Sequence, residues 1–394
     1  MKNREDISFS VAENKYRVAL RDFLASADAQ KIEQEINEQD YYPREFYGKL
    51  GNAGFLAQVL PTGYDGSGSL TCEAILAEEL GAACVPLAWI HSTSSYVYAT
   101  IARYGTEPQK KKYLPAMKSG AKVGAIAITE PEAGSDVMRI ETKAALKDDE
   151  YVITGEKRNI TNGSKADLVL VWAITNPEVD PARGLSVFIV EPDTGFEVVE
   201  DYKLLGGFPG TVNTHLKFDN MSVPTENLLG YEDEGAKILF DELAIERALY
   251  AAMLVGEARP VLELAVRYSL EREQFGTKIS RFEAVSFKVA DMATKLEAAK
   301  LMVYHTARLI DAGFNAEKES AMAKLLASEA FYEVANNTVQ ILGGRGVTDE
   351  YPAEWAFRMA RLSMIPAGTN EIMRFIVQRE VYKGYKDPKR VGHV

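Results

Sequence analysis

A carboxylate set among apolar residues is the first candidate for chemistry in this chain. In Leu243-Ala244-Ile245-Glu246-Arg247-Ala248-Leu249, the residues three and four places after Glu246 are Leu249 and Tyr250, so no ion-pair partner stands on that side of a helix. Burial raises a carboxylate's pKa and makes it a better base toward a weak carbon acid. Taken alone, the same stretch also fits a solvated helical charge. Arg272 offers a charge and a planar fork suited to pyrophosphate. Gly343-Gly344-Arg345-Gly346 would let backbone donors approach phosphate, yet a Gly-Gly pair also caps helices and lacks here the preceding strand of a dinucleotide fingerprint. Gly134-Ser135-Asp136 reads by itself as a turn.

The elements that must position these groups fall into three stretches. Up to about Lys122 the texture is helical: Leu50 follows Phe46 by four and Tyr47 by three, and Cys72, Ile75 and Leu76 repeat at helical spacing. From Val123 to about Gly230, short β-branched runs such as Leu168–Ile174 and Leu185–Val190, bounded by Gly, Asn, Asp and Pro, predict strands of a small antiparallel or barrel-like sheet. Helical periodicity returns over Ile238–Tyr268, Phe282–Asp311, Ser320–Leu342 and Glu371–Val381, with a kink or break expected at Pro260. Strand–helix alternation is missing, which excludes a Rossmann fold. The expected class is α+β: an N-terminal helical domain (1–122), a middle antiparallel β-domain (123–232) and a C-terminal four-helix bundle (233–394).

Composition narrows the function. At 394 residues, with 46% hydrophobic content, the chain can build two or three packed subdomains. A net charge of -12 argues against a nucleic-acid partner. Cys72 and Cys84 form neither a metal spacing nor a disulfide framework and are expected to pack as small hydrophobes. The polar start, with charges of both signs in residues 1–6, is unlike a signal or transit peptide, and no apolar run reaches the ~18 residues of a membrane span. The expectation is a soluble cytoplasmic protein, with no membrane insertion and a mobile tail from Lys386.

Five motifs occur in a fixed order: Ala127-Ile128-Thr129-Glu130 with Gly134-Ser135-Asp136, Ile160-Thr161-Asn162-Gly163, Arg272-Glu273-Gln274-Phe275-Gly276, Gln340-Ile341-Leu342-Gly343-Gly344, and Met364-Ile365-Pro366-Ala367-Gly368-Thr369-Asn370. With these the chain resembles the acyl-CoA dehydrogenase family from end to end. The resemblance implies FAD. Ile126, Ile128 and Thr129 would face the flavin ring from one strand, and Asn159, Ile160 and Thr161 from a second. Asn159 stands where the family commonly has an aromatic, which removes an apolar wall from the isoalloxazine. Arg272, Gln274, Phe275, Gln340, Gly343 and Gly344 would reach the FAD of a neighbouring subunit, and Thr369 and Asn370 would complete the flavin contacts. Cofactor sites shared between subunits imply a homo-oligomer, a tetramer on the family pattern.

In many members a Glu precedes the loop Gly-Thr and takes the substrate's α-proton; here that place is Ala367. The helix bearing Glu246 is similar to that of isovaleryl-CoA and long-chain members, in which the catalytic Glu stands directly before an Arg. The resemblance therefore implies Glu246 as base, with hydride passing to flavin N5. The Ala367 N–H and a ribityl hydroxyl would polarise the thioester, giving a 2-enoyl-CoA and passing electrons to an electron-transferring flavoprotein or an equivalent acceptor. Ser135 would touch the CoA arm, Ile245, Arg247 and Gly368 would adjoin the substrate, and Trp89, His91, Ser94, Ser95, Tyr96 and Tyr98 would close over the acyl end. His91 is a possible second acid or base, though a His there is more often a satisfied polar residue. Leu87 stands where glutaryl-CoA dehydrogenase holds a distal carboxylate with Arg, so a dicarboxylic substrate loses ground. The aromatic and bulky residues, together with a helix-borne base, favour a branched, cyclic or medium-length acyl group. Two alternatives keep the fold: a lyase or desulfinase whose flavin stays oxidised overall, and a non-catalytic acyl-CoA-binding relative.

Overall fold

A computed structural model describes residues 9–206 and 208–386; the readings of the polar start and of the tail from 387 fall outside them. The chain divides into two compact units. One runs up to Leu76 and resumes over Pro86–Leu243; the other takes Ala77–Val85 and the chain from Ala244.

Six helices come first: α1 (Val11–Ser26), α2 (Ala29–Gln39), α3 (Arg44–Asn52), α4 (Leu70–Ala83), α5 (Val85–Tyr104) and α6 (Glu107–Lys118). A capping box starts α1, with Ser10 Oγ accepting from Glu13 N at 3.3 Å and Glu13 Oε2 accepting from Ser10 N at 2.6 Å. Helix α3 buries Phe46, Tyr47 and Leu50, the face that their spacing predicts. Cys84 is buried and Cys72 half-buried, and neither is in a disulfide.

The strands are β1 (Gly124–Ala127), β2 (Lys143–Lys147), β3 (Glu150–Thr161), β4 (Leu168–Ile174), β5 (Leu185–Val190), β6 (Glu197–Asp201), β7 (Asn213–Pro224) and β8 (Leu228–Leu229). They form an eight-stranded sheet in the order β6-β7-β3-β2-β4-β5-β8, with β1 beside β4. Most pairings are antiparallel, as expected, but β1 lies parallel to β4 and β2 meets β4 in parallel at one pair, so the sheet is mixed. Every residue of β5, and all of β4 but Ile174, is buried, which is why these strands read as unbroken apolar runs rather than alternating ones. Val169, Val171 and Ala173 of β4 and Phe188 and Val190 of β5 join Ala125, Ala127, Ile160, Leu216 and Phe218 in one core.

The second unit is helical. Helix α7 (Gly235–Glu271) enters it at Ala244; α8 (Glu283–Asp311), α9 (Glu317–Leu342), α10 (Ala353–Leu362) and α11 (Asn370–Lys386) follow, and α9 packs against α8, α10 and α11. The expected break at Pro260 does not occur, because α7 continues through it. Packing holds this stretch: a Cβ on Gly256 would stand 2.0 Å from Glu78 O of α4, and Arg259 binds Glu78 at 2.8 Å and Glu79 at 2.7 Å. Helix α10, absent from the sequence reading, is a short amphipathic segment between two loops. No helix among the described residues is long and apolar enough to cross a membrane, and no acid–His–Cys cluster there could hold a metal.

Candidate active site

Glu246 is half-buried on α7 and makes no hydrogen bond or ion pair among the described residues. Desolvation pushes its carboxyl up to about 7, against a lowering by the charge of Arg247. Glu242, one turn earlier on the helix, is also raised to about 7 by burial, but Arg103 binds its Oε1 at 3.1 Å. Of the two, Glu246 has the lone pairs free to take a proton.

Arg247 is buried, and its Nε donates to the carbonyl of Ala367 at 3.3 Å. Ala367 (φ 56°) and Gly368 (φ 93°) both occupy the left-handed region, so the backbone doubles back sharply. Asn370 N donates to Met364 O at 3.1 Å, closing the loop, and among the described residues no acceptor takes the Ala367 N–H. Arg247 thus braces the loop rather than reaching outward, while Ile245 and Gly368 remain half-buried.

Asn370 was expected to contact flavin, but its side chain turns inward. Its Oδ1 accepts from buried Lys324 Nζ at 2.8 Å and from Ser328 Oγ at 3.0 Å. Burial, and then the charge of Arg247, lowers the Lys324 pKa to about 7. Thr369 instead caps α11, its Oγ1 accepting from Ile372 N at 3.3 Å.

In the first unit, Ala125 and Ala127 enter the β-core, and Ile126, Ile128 and Thr129 are each half-buried. Ile160 departs from expectation: it is 1% exposed and packs into that core, leaving only its backbone available. Asn159 is exposed at φ 58°, within the register shift between Lys157 and Ile160; asparagine tolerates this left-handed conformation better than most residues. Thr161 Oγ1 already accepts from Asn213 Nδ2 at 3.4 Å, and Ser135 lies in an exposed loop.

The residues expected over the acyl end are closed in. His91 is fully buried, with Nε2 2.9 Å from Glu73 Oε1 and Nδ1 3.5 Å from Tyr47 OH. Tyr98 OH also donates to Glu73, whose second oxygen accepts from Val59 N at 3.0 Å. Ser95 Oγ donates to Ser92 O at 2.8 Å, and Ser94 Oγ accepts from Gly124 N at 3.3 Å. Trp89 meets Phe208 edge-on at 5.3 Å, and Tyr96 is likewise buried. His91 is thus enclosed beside Glu73 and Tyr47, with its Nε2 making no well-directed hydrogen bond.

Arg272, Gln274 and Phe275 stand on a hairpin of the second unit, β9 (Glu273–Gln274) and β10 (Thr277–Lys278), whose turn residues Phe275 (φ 54°) and Gly276 (φ 76°) are both left-handed. Phe275 is 96% exposed at the tip. Gln340, Gly343 and Gly344 are exposed at the C-terminal end of α9, where the helix dipole does not attract phosphate, so any anion contact would rest on loop N–H groups.

Sequence reasoning missed Lys157, which is wholly buried on β3 and binds Glu130 Oε1 at 2.8 Å. It also missed Asn162, whose Nδ2 reaches Ile90 O at 3.2 Å and Gly124 O at 3.1 Å while Oδ1 accepts from Tyr42. Glu156-Lys157-Arg158 reads as a solvated charge run; only a three-dimensional partner distinguishes its middle residue.

Models of the acyl-CoA dehydrogenase N-terminal, middle and C-terminal domains match residues 11–121, 125–221 and 233–382. The chain belongs to the acyl-CoA dehydrogenase family and is an oxidoreductase of that flavin-dependent group. It is 39% identical over 371 residues to "Acyl-CoA dehydrogenase" of Bacillus subtilis (strain 168), covering 93% of this chain and 97% of that protein. It is 36% identical over 384 residues to "Acryloyl-CoA reductase (NADH)" of Anaerotignum propionicum, covering 96% and 97%. A chain of the solved structure "Electron transferring flavoprotein of Acidaminococcus fermentans: Towards a mechanism of flavin-based electron bifurcation" superposes with a TM-score of 0.90 at 38% identity, over 95% of this chain and 98% of that one.

Proposed function

We propose that this protein dehydrogenates an acyl-CoA thioester between its α- and β-carbons, with Glu246 as base and FAD as cofactor. The observation that carries the reading is Glu246 itself: a half-buried carboxylate with no partner, raised to about 7, on the helix whose next residue is bonded to the Ala367 loop. A base of that pKa is matched to neutral pH, where it is ionised in part yet still strong enough to take an α-proton. The Ala367 N–H, held in a loop fixed at both ends, would donate to the thioester oxygen and stabilise the charge that develops as the proton leaves.

FAD, when bound, supplies the acceptor for the hydride lost from the β-carbon. Groups suited to it are present: the Thr129 N–H has no acceptor among the described residues, the Arg272 guanidinium can donate from an exposed position, and Phe275 offers an exposed apolar face at the hairpin tip. Those exposed groups support a homo-oligomer in which the hairpin reaches a neighbouring subunit's cofactor. The likeness to a chain from an electron-transferring flavoprotein structure supports such a protein, or an equivalent carrier, as electron acceptor. A branched, cyclic or medium-length acyl group remains the substrate class we favour.

Mixing the flavin-loaded protein anaerobically with a panel of straight, branched and cyclic acyl-CoAs tests the reading. Bleaching of the flavin by at least one member is expected. Product formation with the flavin oxidised throughout would instead indicate an elimination, and no reaction with any thioester would sink the assignment.

A further inference from the structure

Lys157 is 0% exposed, and no step proposed above uses it. Its Nζ donates to Glu130 Oε1 at 2.8 Å and to the carbonyl of Ile128 at 2.9 Å. The Glu130 carboxylate also accepts from Thr142 N at 3.0 Å and from Glu141 N at 2.5 Å. Burial lowers the Lys157 pKa to about 8. Burial opposes ionisation of Glu130 too, but the Lys157 charge and these hydrogen bonds prevail and hold it below the usual carboxylate range. Both partners are therefore charged at neutral pH.

Stability is a weak reason for such a pair, because desolvating two charges costs about what their attraction returns, and an apolar pair of equal volume often does as well. The lysine also does something that an apolar side chain cannot: it grips a main-chain carbonyl. Across a planar trans peptide, the C=O of one residue and the N–H of the next point in opposite directions. With the Ile128 carbonyl drawn toward Lys157, the Thr129 N–H is turned away from that lysine, and Thr129 itself is only half-buried. The following carbonyl is held as well, since Thr129 O accepts from Arg158 N at 2.8 Å. Two consecutive residues of β3 thus fix two consecutive peptides, and the N–H between those carbonyls meets no protein acceptor among the described residues.

We propose that Lys157 is a positioning residue: by holding the Ile128 carbonyl, it aims the Thr129 N–H as a donor to the polar edge of the flavin ring. The inference rests on the flavin reading above and adds to it the group that sets the donor's direction. A donor fixed before the ligand arrives needs no reordering when it binds.

The test uses the full-length protein stripped of flavin and titrated with FAD. Lys157→Met alone would leave Glu130 buried without its partner, so the informative variant is Lys157→Met with Glu130→Gln, which removes both charges at nearly constant volume. That double variant should fold, bind FAD roughly three- to tenfold more weakly, the loss expected for one misaimed hydrogen bond, and shift the visible bands of the bound flavin. Glu130→Gln by itself keeps the lysine's grip on Ile128 and should leave the flavin spectrum unchanged. In the unaltered protein, the Thr129 amide should exchange with solvent readily without FAD and be protected by it, a measurement that needs no variant to fold. Failure of the unaltered protein to take up FAD would remove the flavin reading, and this proposal with it. Normal FAD affinity and spectrum in the folded double variant, or a Thr129 amide that FAD leaves unprotected, would overturn the role of Lys157 alone.

Discussion

Arg247 donates from Nε to the carbonyl of Ala367 at 3.3 Å, tying the helix that carries Glu246 to the loop where many relatives carry their own base. Helix and loop are separated by 120 residues of sequence, yet one bond sets the loop relative to the residue beside Glu246. The predictions below follow from this connection, from the burial of Glu246 and from the packing that holds α7.

Glu246→Gln should keep FAD and acyl-CoA binding while flavin reduction slows by at least ~10²-fold, the lower range for a general base. The amide is nearly isosteric but cannot accept the α-proton. Stopped-flow bleaching at close to the normal rate would place the base elsewhere.

The pH dependence has a definite sign. Glu246 must be ionised to act, so the rate of flavin reduction should rise with pH through about 7. Stability runs the other way. The folded-state pKa lies above the ordinary carboxylate value, so the contribution of Glu246 is fully present below that ordinary value and is lost as pH rises through about 7. Thermal melts should show Glu246→Gln gaining on the unaltered protein across that interval; a constant gap between pH 4 and 9 would contradict the raised pKa.

Arg247→Met should preserve much of the buried volume but release the Ala367 carbonyl. Loss of a hydrogen bond to a charged donor costs roughly 1.5–3 kcal/mol, so reduction should slow by about ten- to a hundredfold with flavin content maintained. An unchanged rate would mean that the loop holds its shape without the arginine.

Glu246→Gly combined with Ala367→Glu should move the base from helix to loop. The new glutamate would inherit the left-handed backbone of Ala367 (φ 56°), and recovery over Glu246→Gly alone should be partial, because a misplacement of ~1 Å can cost ~10²-fold. Preference should shift toward unbranched chains. A double variant that binds FAD and product but recovers nothing with any acyl-CoA would show that the two positions do not serve one α-carbon.

Gly256→Ala should lower the melting temperature, at a cost of roughly 1–3 kcal/mol, because the added methyl would stand 2.0 Å from Glu78 O and force α4 from α7. The bonds from Arg259 to Glu78 and Glu79 depend on the same approach. A melt unaffected by the substitution would refute this account of why α7 stays continuous through Pro260.

Much of this protein was legible in one dimension because the signal was local. The buried strands β4 and β5 match the apolar runs Leu168–Ile174 and Leu185–Val190, since a strand covered on both faces needs apolar side chains throughout. The helix–sheet–helix order followed from a change of hydrophobic period, and Glu246 stood out because its helical neighbours are apolar. Tertiary structure decided what depends on partners far along the chain. Lys157 resembles its charged neighbours until Glu130 and the Ile128 carbonyl meet it in the interior. Asn370 turns inward because Lys324, 46 residues earlier, is buried beneath it. His91 is closed off by Glu73, and Pro260 is tolerated because α4 packs where α7 would otherwise part. Periodicity reports which face of an element avoids water; it carries no record of which distant donor will satisfy a buried carbonyl or carboxylate, and those pairings aim the groups of the candidate site.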